Sequence, residues 1–510
     1  MTRRFDIGAI KLMEGYFLSN PGWQETDKTE MLAGESSLTE AAFLHVHPEL
    51  RSSNLKAELL ELIKQAKHKV FVVSFILTDE DIVLALIEKA QELKGRVYVV
   101  SCLDDKILQQ GLADEEDLLD STANHQMNSR RRLTEGGVWL RGYGQCHAKY
   151  ALADDKVAII STSNFEKYPL TDGGETGIRL SLPKEVEQIG RHFTRLWHEH
   201  CDWEMAPGVK HTVAKRRSEP SPSQVFSPPA GKSPVAIWTD GGEHHILRHL
   251  HRVIENAQKE LLLATYSTNN LAQYPELLIR PLERAVQRGV TIRMLARRPN
   301  HNPRNRESLK VLANLGIEVF GDKRNHAKGA IADGQTGVMF SANFDADRGL
   351  TSGIEMGVVL DHTKALADFH QYLNFAMSRA SDVFVPQPTH QEMNEKLRLN
   401  TVLTWPLQME VSVAVEARCW NQFQAAAGQG PVLFSPDETG SGAYLFAGDE
   451  AFSMKRKEDF HELTARTDLK DTGSSFSMLA MLFGKKDSTK RSLGFCPATF
   501  AVAHYLPDNS

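Results

Sequence analysis

Two stretches of the sequence are near copies of each other, and they decide the fold. The first is CHAKYALADDKVAIISTSNFE, residues 146–166, and the second is NHAKGAIADGQTGVMFSANFD, residues 325–345. Eight of the 21 aligned positions are identical, at a constant offset of 179 residues. A recurrence of this length predicts that the chain contains two copies of one structural unit.

The segments that precede each copy repeat the same order of elements. In the first half, KVFVVSF (69–75) and RVYVVSC (96–102) are typical of buried strands and flank a helical pattern. In the second half, ELLLATY (260–266) and VTIRMLA (290–296) have the same relation. Strands that alternate with helices predict parallel pairing, so each half is expected to be an α/β unit. Each copy then continues into a strand that begins with an acid and into a closing helix.

Composition places the chain among soluble globular proteins. No run of about 18 apolar residues occurs, so we expect no membrane span and no stable membrane insertion. The N-terminal residues lack the apolar core of a signal peptide, and the five scattered cysteines are typical of a reducing compartment. We therefore expect a cytoplasmic protein. The net charge of −6 leaves room for a local basic groove.

The 510 residues are too many for one core, and about three domains are expected. The first copy carries an extra polar segment over 104–132, and the duplicated pattern stops near residue 395. The prediction is an N-terminal irregular arm (1–46), a first repeat (47–204), a Pro/Ser-rich linker (205–235), a second repeat (236–390) and a C-terminal, mostly β accessory domain (391–510).

Each copy carries the same polar residues at the same spacing. A His is followed two residues later by a Lys, then by an Asp, and the returning segment brings a hydroxyl and an Asn. On a strand, residues i and i+2 face the same side, so the imidazole and the ammonium are expected to project together. The two sets are His147, Lys149, Asp154, Thr162 and Asn164, and His326, Lys328, Asp333, Ser341 and Asn343.

Brought face to face, the two sets suit attack on a phosphodiester. One imidazole can act as a nucleophile and the other as a general acid, while ammonium and amide groups stabilise the anion. The cations are side chains, so we expect no metal and no cofactor. Glu175 and Glu355 are candidates to accept the second N–H of an imidazole and fix its tautomer. Asp154 and Asp333 end strands and are predicted to be structural.

These residues resemble the signature of the phospholipase D superfamily, His-x-Lys-x4-Asp-x6-Gly-Ser-x-Asn. The resemblance covers about residues 50–204 and 236–385. It implies tandem α/β/α sandwich repeats that form a pseudo-dimer, and a covalent phosphohistidine. By analogy we predict His147 as the nucleophile and His326 as the acid. The family Gly is replaced by Ser161 and Phe340, and Phe340 is expected to reshape the pocket. Thr162 and Ser341 are predicted to be supporting residues whose hydroxyls remain available for phosphate contact.

Family members cut phospholipids, transfer phosphatidyl groups, or cleave DNA and RNA. Residues 290–330 carry nine Lys/Arg and three acids, a net of +6, and SRRR (129–132) is a second cluster. Such clusters favour a nuclease acting on DNA or RNA. Strand aromatics such as Trp139 and Tyr150 could stack bases, although core packing is their commoner use. The candidate substrate-binding residues are Arg297, Arg298, Arg304, Arg306 and Arg131.

Two other functions remain open. One is a phospholipid-acting phospholipase D or phosphatidyltransferase, and the other is an inactive binding scaffold. The resemblance also suggests bacterial defence or repair, with an ATP-driven translocase as a partner. The sequence leaves the oligomeric state unknown.

Overall fold

The structure, a computed structural model, describes both sequence copies almost completely. It divides into two units, residues 20–383 and residues 1–19 with 384–510. The extra segment, the linker and the C-terminal domain predicted above lie partly outside the described residues. Those described are 2–3, 15–23, 41–50, 52–104, 122–208, 214–217, 231–298, 302–389, 392, 413–414, 421–423, 425, 432–436, 442–447, 450–456 and 461–465.

The first repeat alternates strands and helices, and its last helix widens into a π-helical turn at Leu196–His200. Its strands are β1 (Ala41–Val46), β2 (Val70–Ser74), β3 (Val97–Ser101), β4 (Trp139–Gly142), β5 (Tyr150–Ala153), β6 (Val157–Ser161), β7 (Glu175–Leu180), β8 (Trp203–Met205) and β9 (Lys215–Arg216). Its helices are α1 (Leu55–Gln65), α2 (Glu80–Glu92), α3 (Thr122–Glu135), α4 (Lys167–Asp172) and α5 (Pro183–Arg195).

The second repeat has the same plan, with a short 3₁₀ helix at Leu271–Gln273. Its strands are β10 (Val235–Asp240), β11 (Glu243–His244), β12 (Glu260–Thr265), β13 (Thr291–Arg297), β14 (Glu318–Asp322), β15 (Gly329–Ala332), β16 (Thr336–Phe340), β17 (Glu355–Val359) and β18 (Asp382–Val385). Its helices are α6 (His245–Asn256), α7 (Ile279–Gln287), α8 (Pro303–Asn314) and α9 (Lys364–Ser378).

The two repeats build sheets with the same strand order. The first contains β4-β3-β2-β5-β6-β7-β1, and the second contains β14-β13-β12-β15-β16-β17-β10. Strands β2, β3 and β4 pair in parallel, as do β12, β13 and β14, whereas β5 and β15 return antiparallel. The predicted mixed α/β fold with two repeats is confirmed.

Two details of the predicted boundaries differ from the structure. Residues 41–46, assigned to an irregular arm, form β1, which pairs with β7 and corresponds to β10 of the second repeat. Isolated from its partner strand, this six-residue segment has too short a pattern to be recognised. The polar segment over 104–132 is also not wholly extra. Its second half contributes to α3, the crossover helix that corresponds to α8, while residues 105–121 lie outside the described part.

The repeats hold each other through their closing helices. Helix α9 packs on β1 of the first repeat, and α5 packs on β10 of the second. The Tyr372 hydroxyl donates to the Val46 carbonyl at 3.3 Å, and the Ala236 N–H donates to Glu185 at 2.8 Å. One apolar core runs through both contacts, with Phe43 packed on Tyr372 and Phe369. The exchange of helices fixes the two sheets face to face.

The other unit contains a second type of sheet. Its strands pair mostly antiparallel, which agrees with the predicted β character of the C-terminal domain. Among all described residues, no helix combines the length and the apolar character that crossing a bilayer requires. The sheet consists of Thr2–Arg3, Val413–Ala414, Val432–Pro436, Gly442–Ala447, Glu450–Arg456 and His461–Ala465.

Candidate active site

The two motifs meet where each repeat touches the other. The His147 N–H donates to the Ile354 carbonyl at 3.0 Å, one residue before β17. Symmetrically, the His326 N–H donates to the Gly174 carbonyl at 2.8 Å, one residue before β7. Each motif therefore forms a short parallel bridge with the strand start of the opposite repeat. The sequence pattern predicted the His and Lys of each motif within a strand, but in the structure they lie just before β5 and β15.

This bridge pairs each imidazole with the glutamate of the other repeat. Nδ1 of His147 lies 2.8 Å from Glu355, and Nδ1 of His326 lies 2.8 Å from Glu175. An ionised glutamate accepts the Nδ1–H and leaves the lone pair of Nε2 free to attack or to take up a proton. The sequence identified both acids but not the crossing.

The motif hydroxyls orient these glutamates. The Thr162 hydroxyl donates to Glu175 at 2.7 Å, and the Ser341 hydroxyl donates to Glu355. Both hydroxyl side chains are fully buried. Each repeat thus contributes a hydroxyl and a carboxylate to fix the histidine of the other repeat. Thr162 and Ser341 were predicted as supporting residues, and in the structure their hydroxyls donate to these glutamates.

The motif lysines are buried cations within the same site. Nζ of Lys328 donates to the carbonyl of His326 at 2.8 Å, and Nζ of Lys149 donates to the carbonyl of His147. Burial lowers the pKa of Lys149 to about 8 and that of Lys328 to about 7. Loss of hydration disfavours the ammonium form, so an incoming anion would be needed to hold both charges.

Burial also lowers the pKa of both histidines. For His326 the pKa falls to about 4, and for His147 it falls below its usual 6.5, although the adjacent glutamate opposes the shift in each case. Burial alone would raise the pKa of Glu175 and Glu355, but the adjacent imidazole, the motif lysine and the hydroxyl bond together outweigh it and keep the pKa low. The lysine of each motif also lowers the pKa of the other motif's histidine, so the four groups share one site.

The asparagines contact a further pair of acids that the sequence analysis missed. The Asn164 amide donates to Glu166 at 3.0 Å, and the Asn343 side chain bonds Asp345. Burial raises the pKa of both acids. The recurrence of an acid two residues after each Asn was the available signal. These acids hold the amides at the site.

The comparisons with known proteins agree with this geometry. A family model described as the PLD-like domain of cardiolipin synthase matches residues 59–197 and 250–376, more than half of the chain. The chain belongs to the phospholipase D superfamily. Membership makes it a phosphodiesterase-type enzyme that acts on phosphodiester bonds. No curated protein matches the sequence significantly.

Several solved structures are similar to this phospholipase D superfamily member. Polyphosphate kinase from Porphyromonas gingivalis is 19% identical with a TM-score of 0.42; the match covers 66% of this chain and 51% of that one. Phosphatidylserine synthase from Haemophilus influenzae Rd KW20 is 13% identical with a TM-score of 0.47, covering 77% and 96%. Nuc from Salmonella typhimurium, a phospholipase D family member, is 18% identical with a TM-score of 0.25, covering 35% and 100%.

The motif aspartates lie outside the catalytic centre. The Asp154 carboxylate accepts backbone N–H bonds from residues 67, 68 and 69 at 2.7–2.9 Å. Asp333 accepts the same three bonds from residues 258, 259 and 260 at 2.8–2.9 Å. Both residues have a positive φ, near 54°. Each carboxylate ties the turn after one strand to the entry of β2 or β12.

The two departures from the phospholipase D signature lie on the face of the strand opposite the hydroxyls. Phe340 is fully buried and packs on Phe344, with ring centres 6.1 Å apart. It pairs with Gly357, where an added Cβ would lie only 2.6 Å from the Phe340 Cβ. Ser161 pairs with Gly177 in the same way. Phe340 therefore fills the core behind the site and does not reshape the pocket as expected.

Of the predicted basic residues, the structure brings Arg297 to the site. Its guanidinium lies 5.2 Å from the Tyr266 ring centre, and that ring packs edge-on against His326 at 5.2 Å. Arg298 instead pairs with Asp382 at 2.5 Å. The remaining three lie on helices: Arg304, exposed, and Arg306, half-buried, on α8, and Arg131, half-buried, on α3.

Proposed function

We propose that this protein is a nuclease that cleaves a nucleic-acid backbone through a covalent phosphohistidine. The observation that carries the proposal is the position of Arg297 beside the ring that contacts His326. Within the described part of the chain, Arg297 forms no ion pair with an acid, so its charge is open to a ligand. A polynucleotide has a further phosphate next to the scissile one, and a guanidinium is well suited to bind it.

The arrangement supports a two-step reaction. Nε2 of His147 attacks phosphorus while Glu355 stabilises the imidazolium that forms, and His326 gives a proton to the leaving oxygen. In the second step His326 accepts a proton from water, whose oxygen attacks phosphorus, and the bond from phosphorus to His147 breaks. Lys149 and Lys328 stabilise the negative charge on the equatorial oxygens in both steps.

The assignment of the two histidines depends on which one keeps its proton. Burial lowers the pKa of both histidines, and that of His326 falls to about 4, so His326 acts as the acid only if its pKa rises again when substrate binds. An anionic substrate would raise this pKa, because negative charge favours the imidazolium. The position of the phosphoryl adduct is therefore the deciding measurement.

The proposal is tested with labelled single-stranded DNA, double-stranded DNA, RNA and phospholipid vesicles, all in EDTA. Wild type is expected to cut at least one nucleic acid and to acquire an acid-labile histidine adduct, whereas His147→Ala and His326→Ala should not turn over. His125→Ala, an exposed histidine on α3, is the matched control and should behave as wild type. Turnover of lipid without any nucleic-acid cleavage would reject the nuclease.

A phosphatidyl-transferring enzyme is the second candidate. It is favoured by the matching family model, which is described from cardiolipin synthase. A lipid diester with one phosphate, such as phosphatidylglycerol, gives Arg297 no second phosphate to bind. Arg297→Ala should therefore weaken polynucleotide cleavage but leave lipid turnover unchanged.

A further inference from the structure

The first repeat presents a row of aromatic side chains that no step of the proposed reaction uses. Phe71, Tyr98 and Trp139 lie side by side on β2, β3 and β4, in direct register. Residues paired in this way project from the same face of a sheet. All three are half-buried. Trp197, from the π-helical turn, stands edge-on to Tyr98 with ring centres 5.5 Å apart.

The second repeat shows that the fold does not require these aromatics. The corresponding register positions are Leu262, Arg293 and Glu318 on β12, β13 and β14. There Arg293 bonds Glu260 at 2.6 Å and Asn374 at 2.8 Å, so a polar network closes the surface. The two copies have diverged at this point, and only the first presents an aromatic face.

A cavity of about 470 Å³ opens over this face, within the range of small-molecule sites. Its floor is formed by Phe71, Tyr98, Phe193 and Trp197, and its rim carries basic or hydroxyl-bearing side chains. Among the described residues that line it, none is acidic. The rim residues are His68, Lys69, Arg96, Thr194 and His198.

The two strong cations of the rim differ in availability. Nζ of Lys69 lies 5.0 Å from the Phe71 ring centre and also pairs with Asp155 at 2.6 Å. Arg96 is exposed and forms no ion pair with the described residues. An aromatic floor with a free guanidinium at its edge suits a planar ring that carries a phosphate.

The cavity is separate from the catalytic centre. Lys69 and Arg96 immediately precede β2 and β3, whereas Phe75, which packs on His147 at 5.2 Å, follows β2. A strand of five residues spans roughly 17 Å. The aromatic face and the imidazoles therefore lie at opposite ends of the same strands.

We propose that this aromatic face is a second binding site for single-stranded nucleic acid. A base would stack in the cavity against Tyr98, beside the stacked rings of Phe71 and Phe193, and its phosphate would bind Arg96 with support from Lys69. The site would anchor the polymer away from the scissile bond. The inference rests on the proposed function in that a polynucleotide is taken as the substrate.

The test measures binding of a fluorescent single-stranded 20-mer by anisotropy, with the full chain carrying His326→Ala so that no cleavage occurs. Tyr98→Leu keeps an apolar side chain but removes the stacking ring, and should weaken binding about 5- to 150-fold. Arg96→Ala should weaken binding in a salt-dependent way. Tyr98→Phe and Tyr274→Ala, an exposed tyrosine outside the cavity, are matched controls and should bind as the parent.

Three outcomes decide the inference. Equal affinity of Tyr98→Leu and the parent would overturn it, whatever the enzyme cleaves. If free AMP saturates the cavity while oligonucleotide binding does not depend on Tyr98, the cavity binds a mononucleotide and the proposal of a polymer site is rejected. Tyr98-dependent binding would support it even if wild type hydrolysed only bis(p-nitrophenyl) phosphate, a result that would count against the nuclease alone.

Discussion

Replacing Glu355 by Gln should impair the histidine of the opposite repeat. Glu355 is buried, and its two oxygens are divided between Nδ1 of His147 at 2.8 Å and the Ser341 hydroxyl. Gln has one acceptor oxygen and one NH₂, so it cannot accept both bonds. Either the hydroxyl loses its acceptor, or the NH₂ faces Nδ1 and favours the tautomer with the proton on Nε2. The second outcome removes the nucleophilic lone pair.

The size of the effect follows from these two outcomes. A hydrogen bond to a charged group contributes about 1.5–3 kcal/mol, which corresponds to a loss of about 10- to 150-fold in rate. A wrong tautomer is more damaging, since the equivalent acid-to-amide change in a serine protease triad lowers kcat by ~10⁴. We therefore expect Glu355→Gln to lower kcat by about 10- to 10⁴-fold, with KM little changed.

The assay combines turnover of bis(p-nitrophenyl) phosphate with the rate of diethyl pyrocarbonate labelling at each histidine, read by peptide mass spectrometry. Glu355→Gln should change labelling at His147 alone, and Glu175→Gln at His326 alone. Glu185→Gln, a buried glutamate that accepts a backbone bond outside the site, is the control. A Glu355→Gln protein that labels normally at His147 but abnormally at His326 would refute the crosswise pairing.

Three further predictions concern charge, turn and core. The pKa of Lys328 is about 7 and that of Lys149 is about 8, so each ammonium is present below these values and lost above them. We therefore expect kcat/KM to fall as pH rises through 7–8, which a pH–rate profile measures. Asp154→Ala should lower the free energy of unfolding by about 1–3 kcal/mol in denaturant titrations, since three backbone N–H groups lose their acceptor. The fall of kcat/KM at high pH should remain, because Asp154 lies outside the catalytic centre. Gly357→Ala should lower the free energy of unfolding by about 1–3 kcal/mol, because the new Cβ meets the Cβ of Phe340. In a double-mutant cycle measured by thermal unfolding, the cost of Gly357→Ala should be smaller in the Phe340→Gly background.

The sequence predicted the parts of the site that lie close together along the chain. The spacing of His147, Lys149 and Asn164 repeats around His326, and the β-branched runs before each motif mark the parallel strands. It could not predict which glutamate serves which histidine. Glu175 lies 28 residues after His147, and Glu355 lies 29 residues after His326. Spacing along the chain therefore does not distinguish own from opposite partners, and only the packing of one repeat on the other does.

The sequence also could not predict which arginines reach the site, because that depends on partners distant along the chain. Arg297 and Arg298 are neighbours in sequence, yet one reaches the ring beside His326 and the other pairs with Asp382. Successive residues at a strand end point to opposite sides, and a partner 84 positions away cannot be seen in a local pattern. The sequence likewise predicted Thr162 and Ser341 only as supporting residues, because the acceptors of their hydroxyls come from the following strand.

The crossing explains why both motifs are retained in one chain. In either repeat alone, the histidine would lack the carboxylate that fixes its tautomer, and the glutamate would be a buried charge without its imidazole, which is costly. The closing helices are exchanged in the same sense, since α9 covers β1 and α5 covers β10. Catalytic orientation and core packing therefore depend on the same interface between repeats.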